Sequence, residues 1–248
     1  MQKVEGSNPF SRFRGSPAKA RLRSATLTLM KARRTLAAAL GLVAVYALWL
    51  RPRLLRWGAT EQETRRAYPG ADLIPGAERS ATMAVTIDAP PAKVWPWLVQ
   101  LGADRAGWYS WDRLDNWGHG SAEQIHPEWQ KIALGDQLAG TPDGSQAWEV
   151  AVLEPERCLG LRMSLDLRGR AFEPAAAHPR TYTDSLWGFL LEELPGERTR
   201  LIVSGYWALR PRWLQPILSF AVLEPSHWIM QTRQFANLKR RAEKRQDF

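Results

Sequence analysis

The sequence predicts an α+β fold: a curved antiparallel β-sheet wrapped around a long C-terminal helix with an internal apolar cavity, preceded by one N-terminal transmembrane helix. Three observations predict it. An uncharged apolar run occupies residues 35–50, four segments with strand character lie between residues 145 and 210, and a long helical pattern ends the chain. A curved sheet must cover its concave face, and a single helix does not fill that face completely, so the arrangement predicts a cavity.

Charge and cysteine content exclude some classes of function. The 248 residues carry a formal net charge of +9, and six basic residues against one acidic residue place +5 of it in residues 1–29. No aromatic–basic interleaving, zinc-finger spacing or RNA-binding signature accompanies this charge, so we expect no nucleic-acid partner and assign the charge to water and lipid headgroups. Cys158 is the single cysteine, which excludes an internal disulfide.

The apolar run Thr35 to Leu50 predicts a single-pass anchor in the cell membrane. Its sixteen residues span about 24 Å as a helix, slightly less than a hydrocarbon core of ~30 Å. Snorkelling of Arg34 and Arg51, with Trp49 near one interface, closes the difference. A cleaved signal peptide is disfavoured because no small-x-small site follows, and a buried core helix is disfavoured because the run is apolar on every face.

The orientation of this anchor depends on where the chain starts. Six basic residues within sixteen positions before the run face five after it, which gives almost no bias. The segment "MKARRTLAAALGL" reads as a natural start at Met30, and counting from there leaves three against five, which favours a cytoplasmic domain. We therefore expect residues 1–34 to be a disordered basic leader, with Met30 as the alternative true start.

The folded domain is predicted to cover residues 81–248. Residues 51–80 are polar and punctuated by Pro and Gly, which predicts a linker lying over the domain. The segment "ATMAVTIDA" alternates apolar and polar residues as a strand does, and "PAKVWPWLVQLG" has apolar residues at helical spacing. Pro96 lies slightly too deep for a first-turn proline and predicts an irregular start to that helix.

The second half of the domain predicts an antiparallel meander followed by helices. Four segments are rich in β-branched, aromatic or alternating residues, namely "SQAWEVAVLEP", "RCLGLRMSLDL", "DSLWGFLLEEL" and "TRLIVSGYWALR". Helical patterns follow in "PRWLQPILSFAVL" and "PSHWIMQTRQFANLKRRAEKR", and Glu224–Pro225 is expected to break the helix between them. The loop at residues 166–180 is interpreted as a surface excursion, with a lid over the cavity as the alternative.

The stretch Ala106 to Asp136 is dense in tryptophan and holds two histidines, and it allows three interpretations. His119, His126 and Glu128 form H-x6-H-x-E, which matches no common zinc spacing, so we expect no metal and no cofactor. His126, Glu128 and Asp112 are the weak catalytic candidates, since acid–base chemistry needs such groups to converge on a pocket. Nucleophilic catalysis lacks a motif, because no G-x-S-x-G elbow occurs.

The favoured interpretation of this stretch is a cavity wall. Indole rings give an apolar surface with a few N–H donors, which suits a flat or acyl ligand. The predicted ligand-binding residues are Trp108, Tyr109, Trp111 and Trp129 in this stretch, and Trp148, Met163, Trp187, Trp207 and Trp228 in the later strands and the last helix. Ordinary core packing is the alternative for each of them, because the sequence does not say which strand face looks into the cavity.

The chain also resembles a known family. Seven segments carry the resemblance: "WGAT" at 57–60, "VTIDAPPAKVWPWLVQLG" at 85–102, "GWYSWDRLDN" at 107–116, "IHPEWQKIALGD" at 125–136, "WGFLLEEL" at 187–194, "TRLIVSGYWALRPRWL" at 199–214 and "LEPSHWIMQTRQFANLKRRAE" at 223–243. Together they are similar to the START-like (SRPBCC) superfamily of helix-grip proteins. The resemblance covers about residues 57–248 and is strongest to the bacterial polyketide cyclase/dehydrase-like branch. It implies a cavity fold that binds or transfers lipids, sterols, hormones or polyketides, and no universal catalytic residues.

Three functions follow from these observations. The first is a membrane-anchored binder or carrier of a hydrophobic small molecule (a lipid, isoprenoid or polyketide-like compound), with the membrane contacted through the anchor and its basic flanks. The second is a cyclase- or dehydratase-like enzyme that acts on such a ligand in the same cavity, and the sequence leans against it. The third is a scaffold without a ligand. The sequence does not fix the oligomeric state.

Overall fold

The computed structural model describes residues 17–244, with side chains from Met30 onward, and these residues form two compact units that meet between Arg51 and Pro52. The first described element is helix α1, Pro17–Val45, followed by a π-helical turn, Tyr46–Leu50, and by α2, Arg51–Leu54. Residues 17–34 are therefore helical, and the disorder expected for the basic leader does not extend to them. Residues 1–16 of that leader lie outside the described residues.

The apolar part of this helix is longer than the predicted anchor. Met30–Leu54 is long and apolar enough to cross a membrane, and none of its apolar window is buried in the structure. Its 25 residues span about 37 Å at 1.5 Å per residue, compared with about 24 Å for the run Thr35 to Leu50. The helix continues through the charged flanks on both sides, because Arg and Lys are good helix formers.

A seven-stranded antiparallel sheet forms the body of the second unit. Its strands are β1 (Glu78–Arg79), β2 (Met83–Ile87), β3 (Gln137–Ala139), β4 (Ala147–Glu154), β5 (Cys158–Asp166), β6 (Tyr182–Leu194) and β7 (Arg198–Arg210). The order is β1–β7–β6–β5–β4–β3, and β2 pairs with the same long strand β7 as β1 does. The predicted strand at residues 83–87 and the predicted four-strand meander are confirmed, and the short strands β1 and β3 are additions.

The remaining helices of this unit are short except for the last. They are α3 (Glu61–Arg65), α4 (Pro91–Val99), α5 (Asp112–Asp115), a 3₁₀ turn (Pro127–Trp129), α6 (Leu214–Leu218), a π-helical segment (Ser219–Leu223) and α7 (Glu224–Glu243). Pro91 occupies the first turn of α4, where its missing N–H costs nothing, and Pro96 lies inside the helix.

The expected break at Glu224–Pro225 is wrong in its position and form. Glu224 is the first residue of α7, and Pro225 lies in the first turn of that helix. The irregularity lies just before, in the π-helical segment Ser219–Leu223. Proline is tolerated in the first turn of a helix, because the backbone N–H that it lacks would have no partner within the helix there.

The two faces of the sheet belong to two separate apolar clusters. Leu201 and Val203 of β7 lie in the larger cluster, while Ile202 between them lies in the smaller one, as the alternation of a strand requires. The larger cluster also contains Leu98 of α4 and Phe235 of α7, so the main core lies between these helices and one face of the sheet. We call this side of the sheet the inner face.

Residues 51–80 are a structured cover of the other face rather than a linker. Tyr68 and Ile74 are buried against Ile202 in the smaller cluster. The backbone at Leu55 and Trp57 accepts hydrogen bonds from Thr82 and Ala84, at 2.8 and 3.0 Å. The folded unit therefore begins well before residue 81. The prediction of a linker at residues 51–80 was wrong because it was based on the polar composition of the segment, whereas a few buried aromatic and aliphatic residues hold the segment against the sheet.

An ion pair and one glycine hold the start of this cover in place. Thr60 and Glu63 form a capping box at α3, and both carboxylate oxygens of Glu63 accept from Arg200 of β7, at 2.7 and 2.9 Å. Arg200 also donates to the carbonyl of Gly58 at 2.6 Å. Gly58 has φ +70°, and a Cβ there would lie 2.1 Å from the Ala84 oxygen. The "WGAT" segment is thus required structurally.

Candidate functional site

A cavity of about 250 Å³ lies between the inner face of the sheet and α7. The sheet contributes Trp148, Trp187 and Trp207, and α7 contributes His227, Gln231 and Gln234; the other lining residues are Ser, Leu, Tyr and Met. An apolar cavity of ~150 Å³ is enough to hold a benzene molecule. The volume therefore fits a ligand of one or two rings.

Closely packed indole rings form the sheet side of the cavity. The ring centroid of Trp187 lies 5.7 Å from that of Trp148 and 5.6 Å from that of Trp108, and 4.7 Å from that of Phe189 in the core below. These distances are those of favourable aromatic pairs, and the ring planes are tilted by 37–54° to one another. The wall is therefore a packed aromatic surface, which favours an apolar ring compound as the ligand.

The cavity lining carries no charge. None of its twelve residues is Asp, Glu, Lys or Arg. Its single titratable histidine is His227, and burial lowers the pKa of that imidazole to about 4, so it is neutral at physiological pH. Placing an ionised group in such surroundings without a partner costs several kcal/mol or more. The site is thus suited to an uncharged molecule.

Hydrogen bonds connect residues 108–110, which we call the aromatic loop, to α7 at one end of the cavity. Gln234 Nε2 donates to the Trp108 carbonyl at 2.9 Å, and Asn237 Nδ2 donates to the Tyr109 carbonyl at 2.8 Å. Ser110 Oγ, which lines the cavity, donates to the Met230 carbonyl at 3.1 Å. The loop that the sequence predicts as a wall is therefore fixed to the last helix rather than free to close over the cavity.

Tyr109 anchors this loop in the core. Its side chain is fully buried, its hydroxyl accepts from Gln100 Nε2 at 2.7 Å, and the Arg241 guanidinium lies 4.8 Å from its ring centre. Burial raises the pKa of this phenol. The backbone of Tyr109 has φ +56°, an unfavourable region for a non-glycine residue that the surrounding bonds enforce.

The structure brings three of the nine predicted ligand-binding residues to the cavity. Trp148, Trp187 and Trp207 line it. Trp108 stands behind Trp187 in the core, with its Nε1 donating to the Gly140 carbonyl at 3.3 Å. Tyr109 is a core residue, as described above.

The other four predicted ligand-binding residues are not among those that line the cavity. Trp111 is exposed and donates to the Ile229 carbonyl at 3.2 Å, and Trp129 packs on His126 at 4.2 Å between ring centres. Trp228 is half-buried against the core. The sulfur-bearing side chain of Met163 lies against Gly140, since a Cβ on that glycine would be 3.0 Å from the Met163 methyl.

The three weak catalytic candidates lie outside the cavity lining. His126 Nδ1 is 3.2 Å from an oxygen of Glu128, and the carboxylate is exposed. Asp112 Oδ1 accepts from Ser121 Oγ at 2.6 Å, a bond that shapes the loop. None of these side chains lines the cavity. Within residues 30–244, no three His, Cys, Asp or Glu side chains are grouped to hold a metal ion.

The sequence interpretation missed the polar residues of α7. His227, Gln231 and Gln234 line the cavity, and none of them was among the predicted ligand-binding residues. Their spacing of four and three residues continues the buried stripe of Phe235 and Leu238 toward the helix start. Polar residues on an otherwise buried helical stripe were the available signal.

A titratable group that the sequence did not single out lies beside the aromatic loop. Both carboxylate oxygens of Asp115 are inaccessible to solvent. Burial raises the pKa of Asp115 to about 6; the neighbouring charge of Asp112 adds to the rise, and hydrogen bonding to the residue's own backbone and to Ser110 opposes it only in part. Cys158 is buried in β5, and burial raises the pKa of its thiol to about 12, which makes it a packing residue rather than a nucleophile.

The loop at residues 166–180 contributes to the lining of a second hollow, on the other face of the sheet. This hollow of about 300 Å³ is lined by Arg162, Ser164 and loop residues such as Phe172. Arg162 makes a bidentate ion pair with the fully buried Asp184, at 3.0 and 2.7 Å. No residue of the loop lines the cavity between the inner face and α7, in agreement with the interpretation of the loop as a surface excursion.

Comparisons with known proteins add little beyond this geometry. No protein-family model and no curated protein matches the chain. Among solved structures, protein MLL2253 from Mesorhizobium loti is 19% identical, with 67% of this chain and 99% of that one covered and a TM-score of 0.38. DynU16, described as a putative protein in the dynemicin biosynthetic locus, is 19% identical over 64% of this chain and 46% of its own, with a TM-score of 0.38.

A third such structure is CalU16 from Micromonospora echinospora, which is 17% identical, with 67% of this chain and 92% of that one covered and a TM-score of 0.32. Similarities at this level carry no argument about function. The assignment of the chain to the α+β class rests instead on its own seven-stranded antiparallel sheet and C-terminal helix.

Proposed function

We propose that this chain is a membrane-anchored protein that binds or carries a hydrophobic small molecule in the cavity between its sheet and α7. The observation that carries the proposal is the uncharged cavity of about 250 Å³ walled by Trp148, Trp187 and Trp207. A scaffold whose core was filled by its own side chains would have no such space. Ligand sites are typically concave, mostly apolar and equipped with a few polar groups, and this cavity has all three features.

Membership in the START-like superfamily is part of the proposal. The order of strand β2, helix α4, meander and long final helix supports it, together with the motifs quoted above. That family accommodates apolar ligands in the corresponding place, so lipid, isoprenoid and polyketide-like molecules are the candidate ligand classes.

Anchoring in the cell membrane is the second part of the proposal. Helix Met30–Leu54 supports it by length, composition and complete exposure of its apolar window. The basic residues at its ends suit anionic headgroups, at about 1 kcal/mol for each one near the surface. If the protein starts at Met30, three basic residues precede the run and five follow it, and the proposal then places the domain on the cytoplasmic side.

An enzymatic role in cyclisation or dehydration has weaker support. His126, Glu128 and Asp112 are not among the residues that line the cavity, and the lining itself holds a neutral histidine without a carboxylate partner. A binding role needs only the volume and the uncharged wall. We therefore favour the binder over the enzyme.

The test measures an apolar probe in the full-length protein held in amphipol. Naphthalene binding is followed by calorimetry for the wild type, for Ser185→Phe and for Ser145→Phe. Ser185 lines the cavity, whereas Ser145 lies in an exposed turn. We expect Ser185→Phe to weaken binding at least tenfold by filling the space, and Ser145→Phe to leave it unchanged. Equal, residual heats in all three proteins would mean that the probe only partitions into the amphipol, and would refute the binding function.

A further inference from the structure

Three buried polar atoms without a hydrogen-bond partner belong to side chains that line the cavity. They are Trp187 Nε1, His227 Nε2 and Gln231 Oε1, out of nine such side-chain atoms among the residues whose side chains are described. Buried polar groups are nearly always paired in folded proteins, because an unpaired one costs about 1–3 kcal/mol. These atoms therefore lack hydrogen-bond partners that a ligand in the cavity would supply.

The orientation of the Gln231 amide is fixed by a chain of hydrogen bonds. The Trp108 carbonyl can only accept, so Gln234 presents its Nε2 to it, at 2.9 Å. Gln234 Oε1 then accepts from Gln231 Nε2, at 2.8 Å. Gln231 must consequently keep its Oε1 free, and this atom is an acceptor only. The chain thus presents a fixed acceptor at the cavity.

The unpaired atoms differ in what they require from a ligand. Gln231 Oε1 needs a donor, Trp187 Nε1–H needs an acceptor, and His227 Nε2 takes either role according to its tautomer. A hydroxyl group supplies both a donor and an acceptor. The absence of any charged residue from the lining disfavours a carboxylate or phosphate at the same place.

We infer that the cavity recognises a neutral, planar ring compound with a hydroxyl group, such as a phenol or hydroxylated fused-ring molecule, and rejects its anionic counterpart. This inference rests on the proposed binding function and names its ligand class. The hydroxyl donates to Gln231 Oε1 and accepts from the indole N–H of Trp187 or from His227. The ring lies against the indole wall. A fatty acid or a phospholipid headgroup has the wrong charge for this lining.

Three probes with the same ring system test the inference on the full-length protein in amphipol. Naphthalene has no polar group, 2-naphthol adds a neutral hydroxyl, and 2-naphthoate adds a negative charge at pH 7. We expect 2-naphthol to bind about tenfold more tightly than naphthalene, the effect of one or two hydrogen bonds to unpaired groups. We expect 2-naphthoate to bind more weakly than naphthalene.

Variants separate the polar atoms from the shape of the cavity. Gln231→Leu removes the acceptor at similar volume, and we expect it to abolish the preference for 2-naphthol, measured as the ratio of the 2-naphthol and naphthalene affinities within the same variant. Gln62→Leu makes the same change at an exposed position on α3 and is expected to leave both affinities unchanged. The comparison of probes on the wild type stands by itself if Gln231→Leu does not fold.

The outcomes distinguish the inference from the function on which it rests. If no probe binds, the proposed function fails. If naphthalene binds but 2-naphthol binds no more tightly, water satisfies the unpaired atoms and the inference is overturned while the function stands. Tighter binding of 2-naphthoate than of 2-naphthol would also overturn it.

Discussion

At the scale of single residues, the cavity is lined by polar side chains that carry no charge. His227 and Gln231 lie on α7, and Trp187 lies opposite them on β6. In the proposed function, the apolar walls supply the affinity for a ring and the few polar atoms supply its orientation. Two titratable groups, His227 and Asp115, respond to burial in opposite ways, which gives two separate predictions.

The first prediction concerns His227. Its pKa is lowered to about 4 in the folded protein by burial, against about 6.5 in the unfolded chain. Its contribution to stability is therefore fully present above pH ~6.5 and is lost as the pH falls toward 4, by up to about 3 kcal/mol. We expect His227→Phe to lose less stability than the wild type between pH 7 and pH 4.5, measured by denaturant unfolding. His119→Phe, at an exposed position, is the control and is expected to follow the wild type.

The second prediction concerns Asp115, whose pKa burial raises to about 6. A raised carboxyl pKa means that ionisation is disfavoured in the folded state, so stability falls as the pH rises from ~4 to ~6. We expect Asp115→Asn to be more stable than the wild type at pH 7 by a few °C in melting temperature, with the difference vanishing near pH 4.

Asp112→Asn provides the contrast to Asp115→Asn, because Asp112 accepts a bond from Ser121. That substitution is expected to be neutral or destabilising at pH 7. A loss of stability in Asp115→Asn at pH 7 would mean that the hydrogen bonds of the ionised carboxylate outweigh the cost of its burial, against the raised pKa.

At the scale of elements, the segment of residues 55–79, which precedes β2, covers the outer face of the sheet. Residues 55–79 combine backbone pairing to β2, the ion pair of Glu63 with Arg200, and the buried ring of Tyr68. The first contact reaches the start of β2, and the other two reach β7. The segment therefore closes the outer face of the sheet although it contains little regular structure.

The third prediction tests this cover through two glycines with similar backbone angles. Gly58 (φ +70°) would place a Cβ 2.1 Å from the Ala84 oxygen, whereas Gly76 (φ +67°) has nothing within 4 Å. We expect Gly76→Ala to cost about 1–2 kcal/mol of unfolding free energy from the backbone angle alone. Gly58→Ala adds a clash with backbone and is expected to cost at least about 1–2 kcal/mol more. Equal losses in chemical denaturation would contradict the close approach.

At the scale of the whole molecule, the chain joins an apolar helix to a folded unit with almost no intervening linker. The candidate span ends at Leu54, and the Leu55 carbonyl already accepts from Thr82 of the folded unit.

The fourth prediction tests the span itself. Leu42 lies at the middle of Met30–Leu54, and Leu42→Arg places a charge there at a cost of about 2.5–3.5 kcal/mol for insertion. We expect this variant to shift from the carbonate-resistant membrane fraction to the soluble or aggregated fraction. Leu114→Arg, at an exposed position on α5, is expected to stay in the membrane fraction with the wild type. Identical behaviour of all three proteins would refute the membrane span.

Much of the architecture could be predicted from local patterns. Alternation at residues 83–87 predicts β2, and the apolar spacing in residues 91–102 predicts α4, because burying one face imposes a period of two on a strand and 3.6 on a helix. The meander and α7 follow from the same reasoning. The cover at residues 55–79 could not be predicted in this way, since its few buried side chains have no period.

For the candidate site as well, some features could be predicted from local patterns and others could not. The sequence by itself determined that the chain has a long apolar helix near its start, an antiparallel sheet and many indoles, because composition and period are local properties. The tertiary structure alone decided that Trp148, Trp187 and Trp207 share a cavity while Trp111 and Trp129 do not. It alone brought His227 and Gln231 to that cavity with unpaired atoms, because the choice of face and the pairing of a buried polar group depend on neighbours distant in the sequence.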